Sequence, residues 1–582
     1  MELSAEKGSD EGPPGGRMAA GQLGAVRAYH QRTKHLPDQF APGPGYMDWA
    51  NQPDPFRRFK GARLVELPLV HNLGLVSFEA LTTPGAVTPQ PLSLDSLGLF
   101  LELALGLTAW KEFEGTRWAL RSNPSSGNLH PTEGYTLLPP IDGISESPGV
   151  YHYAPREHAL EQRCSLSTGT WFALLGQSAP SGFIVGLSSV HWREAWKYGE
   201  RAYRYCQHDV GHALGSLRYA AAALSWRMHL LSEPSDADLG TLMGLNRAGD
   251  FQNVEPEFPD LLCLVDTHPD PQRTIRISHE AVREVANGKW HGRATRLSPE
   301  RVPWPWITTM ETNAVKPRFE PPFQPTIQQE DQDRRPDPRV QSMGPSTVSV
   351  IRQRRSAVAM DGQTSVSFET FLAMLCRTMP DSDKVPWDAF PFPARILLCL
   401  FVHRVDGLRP GLYALMRDSN RLAAFRAACQ DNLSWKHISE SNLPLYQLLV
   451  GDLRDVAAHT SCTQAIAGDS AFSLGMVADF VRALKEEGAW AYRRLFWEAG
   501  LIGQVLYLEA EATGVQATGM GCYFDDLLHY GLGLDLNADD WQSLYHFTVG
   551  GAVEDRRLTT LPAYFHLPDE RRRKTAQEFV PG

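Results

Sequence analysis

Two stretches of this chain read alike, and that repetition constrains its fold more than any other feature. KYGERAYRYCQHDVGHALGSLRYAAAALSW begins at Lys197, and AYRRLFWEAGLIGQVLYLEAEATGV begins at Ala491. Tyr203-Arg204 aligns with Tyr492-Arg493 and Gly211 with Gly500, all at an offset of 289 positions and without a gap. Both stretches carry apolar residues at helical spacing, with small residues where a close neighbour can pack. A second match, PGVYHYAP from Pro148 against PGLYALMRD from Pro410, reads in each case as a turn entering a strand. The motifs recur in the same order, which points to a duplicated unit.

A soft stretch from Thr312 to Ser346, dense in Pro, Gln and charge, reads as an extended linker between the two copies. The expected organisation is a mobile tail over residues 1–24, a first domain over 25–311, the linker over 312–346 and a second domain over 347–582. Helices are expected over 94–111, 198–228, 366–378, 469–486 and 490–513. Strands are expected over 134–138, 182–187, 260–265, 396–402, 446–451 and 544–550. This mixture is α+β or α/β, and the pattern alone does not order the sheet.

Charge and cysteine usage narrow the function. Lys+Arg number 56 against 67 Asp+Glu, a net charge of −11, which argues against a chain-wide nucleic-acid surface. A local pocket for one phosphate stays open. The chain is long enough to bury a core without metal or disulfide staples. None of the eight cysteines forms a CxxC pair, and their scatter suggests a reducing compartment. The polar, acid-bearing start MELSAEKGSDEGPPGGR is unlike a signal peptide, and no apolar run is long enough to span a bilayer. A cytoplasmic protein without membrane or nucleic-acid partners is expected.

Five segments could carry chemistry. RSNPSSGNLHPTEGY, Arg121 to Tyr135, places hydroxyls and backbone N–H groups in one rigid loop. It suits a planar polar ligand, or serves as an ordinary turn. IRQRRSAVAM, Ile351 to Met360, offers guanidinium forks that match phosphate oxygens, or a solvated basic patch at a helix start. In ATGMGCYFDD, from Ala517, two glycines let a ligand approach the backbone, or mark a bend. VGGAVEDRR, from Val549, ends in Arg556 and Arg557, which either reach the same phosphate or face water. Lys197-Tyr198 pairs a potential proton acceptor with a donor, or a surface lysine with a packing tyrosine. His208 and His212 lie four apart on a helix, but Asp209 stands where HExxH has Glu and no third ligand is apparent, so no metal site is assigned. The GDSAFSLG run lacks the GxSxG elbow of a serine hydrolase.

Taken together, RSNPSSGNLHPTEGY, KYGERAYRY with its following Gly-His, and the Arg-Arg-Ser start of the second half resemble the nitroreductase superfamily, in particular its SagB/ThcOx-type dehydrogenases. AYHQRTKH and DWANQP resemble the opening of that group. The likeness runs from about Val26 to about Leu567. It implies an α+β fold, with each unit an antiparallel sheet wrapped by helices and the two units forming an intrachain pseudo-dimer around FMN. Carried onto this chain, it implies that Arg354, Arg355, Ser356 and Arg556 or Arg557 hold the phosphate. It implies that Gly519, Met520 and Gly521 bring backbone N–H groups to the flavin, and that Pro124, Ser125, Ser126, Gly127 and Asn128 cover the ring. Lys197 is then the implied base and Tyr198 its partner, in the dehydrogenation of azoline rings of a modified peptide or a related small molecule. An NAD(P)H-dependent nitroreductase or quinone reductase, and a flavin-free peptide-binding scaffold, are the alternatives. A further homo-oligomer is compatible with either enzyme. The reciprocal site looks degenerate. FPFPARILLCLFV from Phe390 replaces the Pro-Ser-Ser loop, YHQRTKH replaces the Arg-Arg-Ser clamp, and WRMHLLSEPSDADLGTLMGL from Trp226 lacks the glycine turn. One FMN per chain is therefore expected.

Overall fold

Strands rich in β-branched and aromatic residues pair antiparallel within each half of the chain. In the first half the spatial order is Lys289–Trp290, Ala159–Ser165, Gly149–Ala154, Thr132–Leu138, Gly182–Ser189, Phe258–Asp266, Arg227–Leu230, with Arg63–Glu66 added beside Ala159–Ser165. In the second it is Lys436–His437, Leu445–Val450, Gly411–Leu415, Ile396–Val402, Phe472–Asp479, Trp541–Gly550, Gln516–Met520. With the two-residue edge strand Lys436–His437 left out, and counted along the chain from Thr132–Leu138 and from Ile396–Val402, six strands of each sheet follow one spatial order: third, second, first, fourth, sixth, fifth. The PGVYHYAP and PGLYALMRD matches supply the second strand of each series. This computed structural model describes residues 14–70, 76–83, 85–175, 182–268, 277–319 and 344–571. The architecture is mixed α+β.

The two repeated stretches become helices of 22 residues, Ala202–Ala223 and Ala491–Ala512, buried over almost their full length. They cross where Gly211 meets Gly500. A side-chain carbon on Gly211 would run into the carbonyl of Trp497, and one on Gly500 into that of His208. The two glycines are therefore required by close helix–helix approach. The offset of 289 extends further than the motifs revealed. Arg204 bonds Asp525 across the halves (2.7 Å), and Arg493 bonds Asp236, each residue 289 positions from its counterpart. Asp525 also accepts the His35 N–H (2.8 Å), and Asp236 that of Lys316 (2.9 Å). Helices Pro14–Arg32 and Pro305–Asn313 precede these two anchor points and pack on each other. Near the C-terminal end, Thr559–Pro562 adds to the hairpin Leu107–Phe113 and Thr116–Arg121 of the first half. Each half thus reaches into the other.

Three expected helices differ from what forms. The 198–228 helix runs over Ala202–Ala223, and a strand follows at Arg227–Leu230. The 469–486 stretch is divided: a short helix at Ala465–Asp469, the strand Phe472–Asp479, then the helix Phe480–Glu487. That strand is central and buried along its whole length, so no solvent-facing polar row marks it as a strand. The expected 94–111 helix stops at Leu105. Gly106 ends it and a strand begins at Leu107. Part of the expected tail is helical from Pro14, and residues 1–13 and 320–343 lie outside the described residues.

A buried polar network braces the first sheet. His152 contacts Glu161 (2.9 Å) and Glu133 (3.1 Å), all on neighbouring strands, and Arg193 pairs with Glu133. Burial alone would lower the His152 imidazolium, but hydrogen bonds to both carboxylates and their charges outweigh it and raise its pKa to about 9. Because the folded value lies above the unfolded one, this stabilisation is complete below the ordinary histidine range and disappears as pH rises through 9. Its ceiling is about 3 kcal/mol at about 1.4 kcal/mol per pKa unit. Denaturation midpoints of the wild type should fall between pH 6.5 and 9. His152→Gln should flatten that slope; an equally steep slope in the variant would remove His152 as its source.

Candidate active site

The two crossing helices set the positions of the side chains in one cluster of contacts between the halves. Arg354 follows the helix Thr347–Gln353, is buried, and donates from Nη2 to the carbonyl of Arg121 (2.9 Å), the residue that opens the Pro-Ser-Ser loop. Its guanidinium lies 5.0 Å from the ring centre of Tyr507, on the second crossing helix. The Tyr507 hydroxyl contacts Ser356 Oγ (2.9 Å) and accepts the N–H of Gly519 (2.9 Å). Beyond it, His212 Nε2 meets the Tyr545 hydroxyl (3.1 Å), which lies against Gly519, while His208 stacks on the Tyr545 ring at 4.0 Å.

The loop of the first half closes the other side. Ser126 N donates to Asp209 Oδ1 (3.2 Å) and Ser125 Oγ to Glu194 Oε1 (3.4 Å). Gly127 has φ +59, and a side-chain carbon there would sit 2.6 Å from Tyr198 Oη and 3.2 Å from Lys197 Nζ. Only glycine leaves room for the lysine–tyrosine pair at this turn. Asn128 holds the loop from below, donating to the Ala119 carbonyl (2.8 Å) and meeting His130 Nε2 (3.0 Å). Tyr198 packs edge-on to Tyr205 at 4.7 Å, and both Tyr205 Oη and Arg201 Nη2 donate to the Gly521 carbonyl at 3.1 Å. The contacts therefore close a ring: Arg354, Arg121, Ser126, Gly127, Lys197 and Tyr198, Tyr205, Gly521, Gly519, Tyr507.

The expected residues fall into two groups. Ser125, Ser126, Gly127, Lys197, Tyr198, Arg354, Ser356, Gly519 and Gly521 converge on this ring, with Pro124 and Asn128 in its loop. Arg355 sits beside it, but its guanidinium is occupied by the carbonyls of Arg352 (2.8 Å), Arg354 (2.7 Å) and Thr108 (3.2 Å). Residues 516–520 form an edge strand paired with Trp541–Gly550, and the Gly519 N–H is already taken by Tyr507. The expected free glycine N–H at that position is corrected accordingly. Met520 turns its side chain into the outer core of the second half. Arg556 and Arg557 are exposed, and Arg557 pairs with Asp555 (2.8 Å) while facing Phe113 at 5.9 Å.

Several members of the ring were not read from the sequence. Glu194 and Asp209 form a buried carboxylate pair. Burial and, for Glu194, the neighbouring Asp209 charge push both carboxyls up, while hydrogen bonds from Ser125 and Ser126 pull Asp209 partly back. The one available signal was the spacing of Glu194 and Lys197, three apart on the helix His191–Tyr198 and hence on one face. Tyr507 and Tyr545 carried no local signal. Among the described residues, Arg354 Nε, Asp209 Oδ2, Glu194 Oε2 and His130 Nδ1 are buried without a hydrogen-bond partner. These unpartnered groups are brought together at the same contacts between the halves, where a polar ligand could satisfy them. The anion-binding fork, the hydroxyl-rich loop and the aromatic walls fit a phosphorylated planar cofactor such as FMN. A cleft of about 700 Å³ between Arg421, Asp479 and Trp541 holds none of these residues.

The pseudo-equivalent place in the other half is filled. Glu498 stands 289 positions from Asp209 and accepts the N–H of Arg395 (3.0 Å) and Ile396 (3.4 Å), as well as Arg417 and Arg494. Its surroundings are a run of aromatic contacts: Phe390 to Phe392 at 5.2 Å, Phe392 to Trp490 at 5.4 Å, Phe319 to Trp490 at 5.4 Å.

Comparison with known proteins agrees with this architecture. Residues 351–551 match the model of the nitroreductase family. A candidate nitroreductase of Methanocaldococcus jannaschii is 28% identical over 139 residues, which are 23% of this chain and 66% of that protein, just under two thirds of its length. The crystal structure of a candidate nitroreductase from Anabaena variabilis superposes with a TM-score of 0.63 at 21% identity, covering 91% of this chain and 99% of that one. The likeness therefore spans both halves. This chain has the fold of the nitroreductase superfamily.

Proposed function

We propose that this protein is an FMN-dependent oxidoreductase with one cofactor site per chain, and that its two halves arose by duplication of one nitroreductase-like unit. The ring of contacts from Arg354 through the Pro-Ser-Ser loop to Lys197 and Gly521 carries the cofactor reading, because each half contributes an essential wall. The shared strand order and the paired Arg204–Asp525 and Arg493–Asp236 bonds support the duplication. FMN, when bound, supplies hydride-accepting redox chemistry that no side chain offers. Arg354 would hold the phosphate with its fork. Asp209 fixes the loop through Ser126, and Tyr198 packs edge-on against Tyr205 beside it. Lys197 Nζ and Tyr198 Oη, side by side at Gly127, would hold or accept a proton on the substrate.

The family match favours a reductase that draws electrons from NAD(P)H and passes them to a nitro or quinone compound. A second reading, dehydrogenation of an azoline ring, is favoured by the lysine–tyrosine pair, which supplies a base where ring-proton removal would need one. Anaerobic mixing with NAD(P)H separates them. Rapid bleaching of bound flavin is expected for the reductase; no bleaching, with turnover of an azoline peptide, would overturn it in favour of the dehydrogenase. Colourless protein that gains no thermal stability from added FMN would sink both. Arg354→Ala should weaken FMN binding about 10- to 100-fold, the loss of a charge-assisted fork of about 1.5–3 kcal/mol, with Arg354→Lys intermediate. Unchanged affinity, read by flavin fluorescence on titration, would remove Arg354 from the phosphate site.

A further inference from the structure

Cys522 directly follows Gly521, and its Sγ lies 2.8 Å from Sγ of Cys462, donated by a turn 60 residues earlier in the chain. The two sulfurs are brought together by independent elements. Cys462 and the next residue, Thr463, both adopt left-handed backbone conformations (φ 54 and 58), costly for side chains with a β-carbon. Gln464 ties the same turn to the carbonyl of Cys522 (2.9 Å). The pair is half-buried, whereas Cys164, Cys206, Cys263, Cys399 and Cys429 are buried. Neither cysteine belongs to a CxxC motif, so nothing in the sequence announced the contact.

We propose that Cys462 and Cys522 form a redox-active dithiol, with Cys522 the attacking sulfur and Cys462 the resolving one, that exchanges with small-molecule disulfides. The surroundings separate the two roles. The Cys462 thiol hydrogen-bonds the Cys522 sulfur, His35 bonds it from the other side, and Arg201 adds positive charge; these outweigh burial and hold Cys522 well below an ordinary thiol. Cys462 is pushed the opposite way by the same bond, by burial and by the Cys522 charge, with Asp525 adding a little and Arg201 opposing. The Ala41 N–H donates to His35 Nδ1 (2.9 Å), which leaves Nε2 to carry the proton toward Cys522. In the first step the Cys522 thiolate attacks a disulfide RSSR, forming Cys522–S–S–R and releasing RS⁻. In the second, Cys462 gives its proton to solvent and attacks Cys522 Sγ, forming the protein disulfide and releasing the second RS⁻. Two thiols are oxidised and one external disulfide is reduced. The oxidised form would pin the 461–463 turn to the strand end that supplies Gly521, the same wall of the cleft. The chemistry itself does not require that flavin be bound.

The full chain, incubated in buffers of varied reduced-to-oxidised glutathione ratio, then acid-quenched, alkylated and peptide-mapped, tests this. Oxidised glutathione should convert the Cys462 and Cys522 peptides into one cross-linked species that reduced glutathione reverses, without cross-linking the exposed Cys376. Cys462→Ser should trap glutathione on Cys522, and Cys522→Ser should slow modification at Cys462 by about tenfold or more. Free thiols at both positions across all ratios, or no adduct in Cys462→Ser, would overturn the proposal.

Discussion

Gly500→Val, like Gly211→Val on the facing helix, is expected to cost the protein a large share of its stability. The first added carbon meets the His208 carbonyl, with the Gly211 Cα at 2.9 Å and the His212 nitrogen at 3.0 Å. All three are backbone atoms of the facing helix, so no side-chain rotation relieves the clash and the helices must separate. Overpacking a core typically costs about 1–3 kcal/mol. Here the strain falls on the contact that joins the two halves, so a loss of about 3 kcal/mol or more is expected. That is a large share of the about 5–15 kcal/mol that holds a typical domain. Tm and soluble yield should both fall sharply. Gly24→Ala is the matched control, because nothing lies within 4 Å of the added carbon and helix propensity improves by about 1 kcal/mol. A Gly500→Val protein melting with the wild type would contradict the close crossing.

Lys197→Ala should lower turnover by about 10²- to 10⁴-fold, the range for removing a positioned acid or base. FMN affinity should change little, since Lys197 touches the loop turn at Gly127 and not the Arg354 fork. Lys197→Arg should not rescue, because a guanidinium does not give up its proton in this pH range. Tyr198→Phe should be milder, about tenfold, for one lost hydroxyl contact of about 1.4 kcal/mol. Steady-state kinetics on flavin-loaded protein read this directly. Unchanged kcat in Lys197→Ala would take the lysine out of the mechanism while leaving the cofactor site intact.

These two predictions differ in how visible their residues were. The Gly211–Gly500 contact was written in the two similar stretches, because close helix approach demands small residues and both stretches carry one. The helix Ala491–Ala512 and the strand Ile396–Val402 were legible for a similar reason: each carries a complete local pattern. Phe472–Asp479 was not, because a strand covered on both faces looks like a buried helix. In the site, the Pro-Ser-Ser-Gly-Asn loop and Arg354 stood out by composition. Asp209, Tyr507 and Tyr545 did not. They sit on two helices and a strand far apart in sequence, and they meet because those helices cross. Arg355 reads as a phosphate ligand, and its guanidinium bonds the Thr108 carbonyl of the other half and the carbonyls of Arg352 and Arg354 beside it.

The most direct test of a single composite site is the flavin content of the purified chain. After saturation with FMN and removal of excess, flavin released by denaturation is quantified against protein. Close to one FMN per chain is expected, because the corresponding place in the other half is packed with Phe390, Phe392 and Trp490. Two per chain, or none after incubation with FMN, would contradict a single composite site.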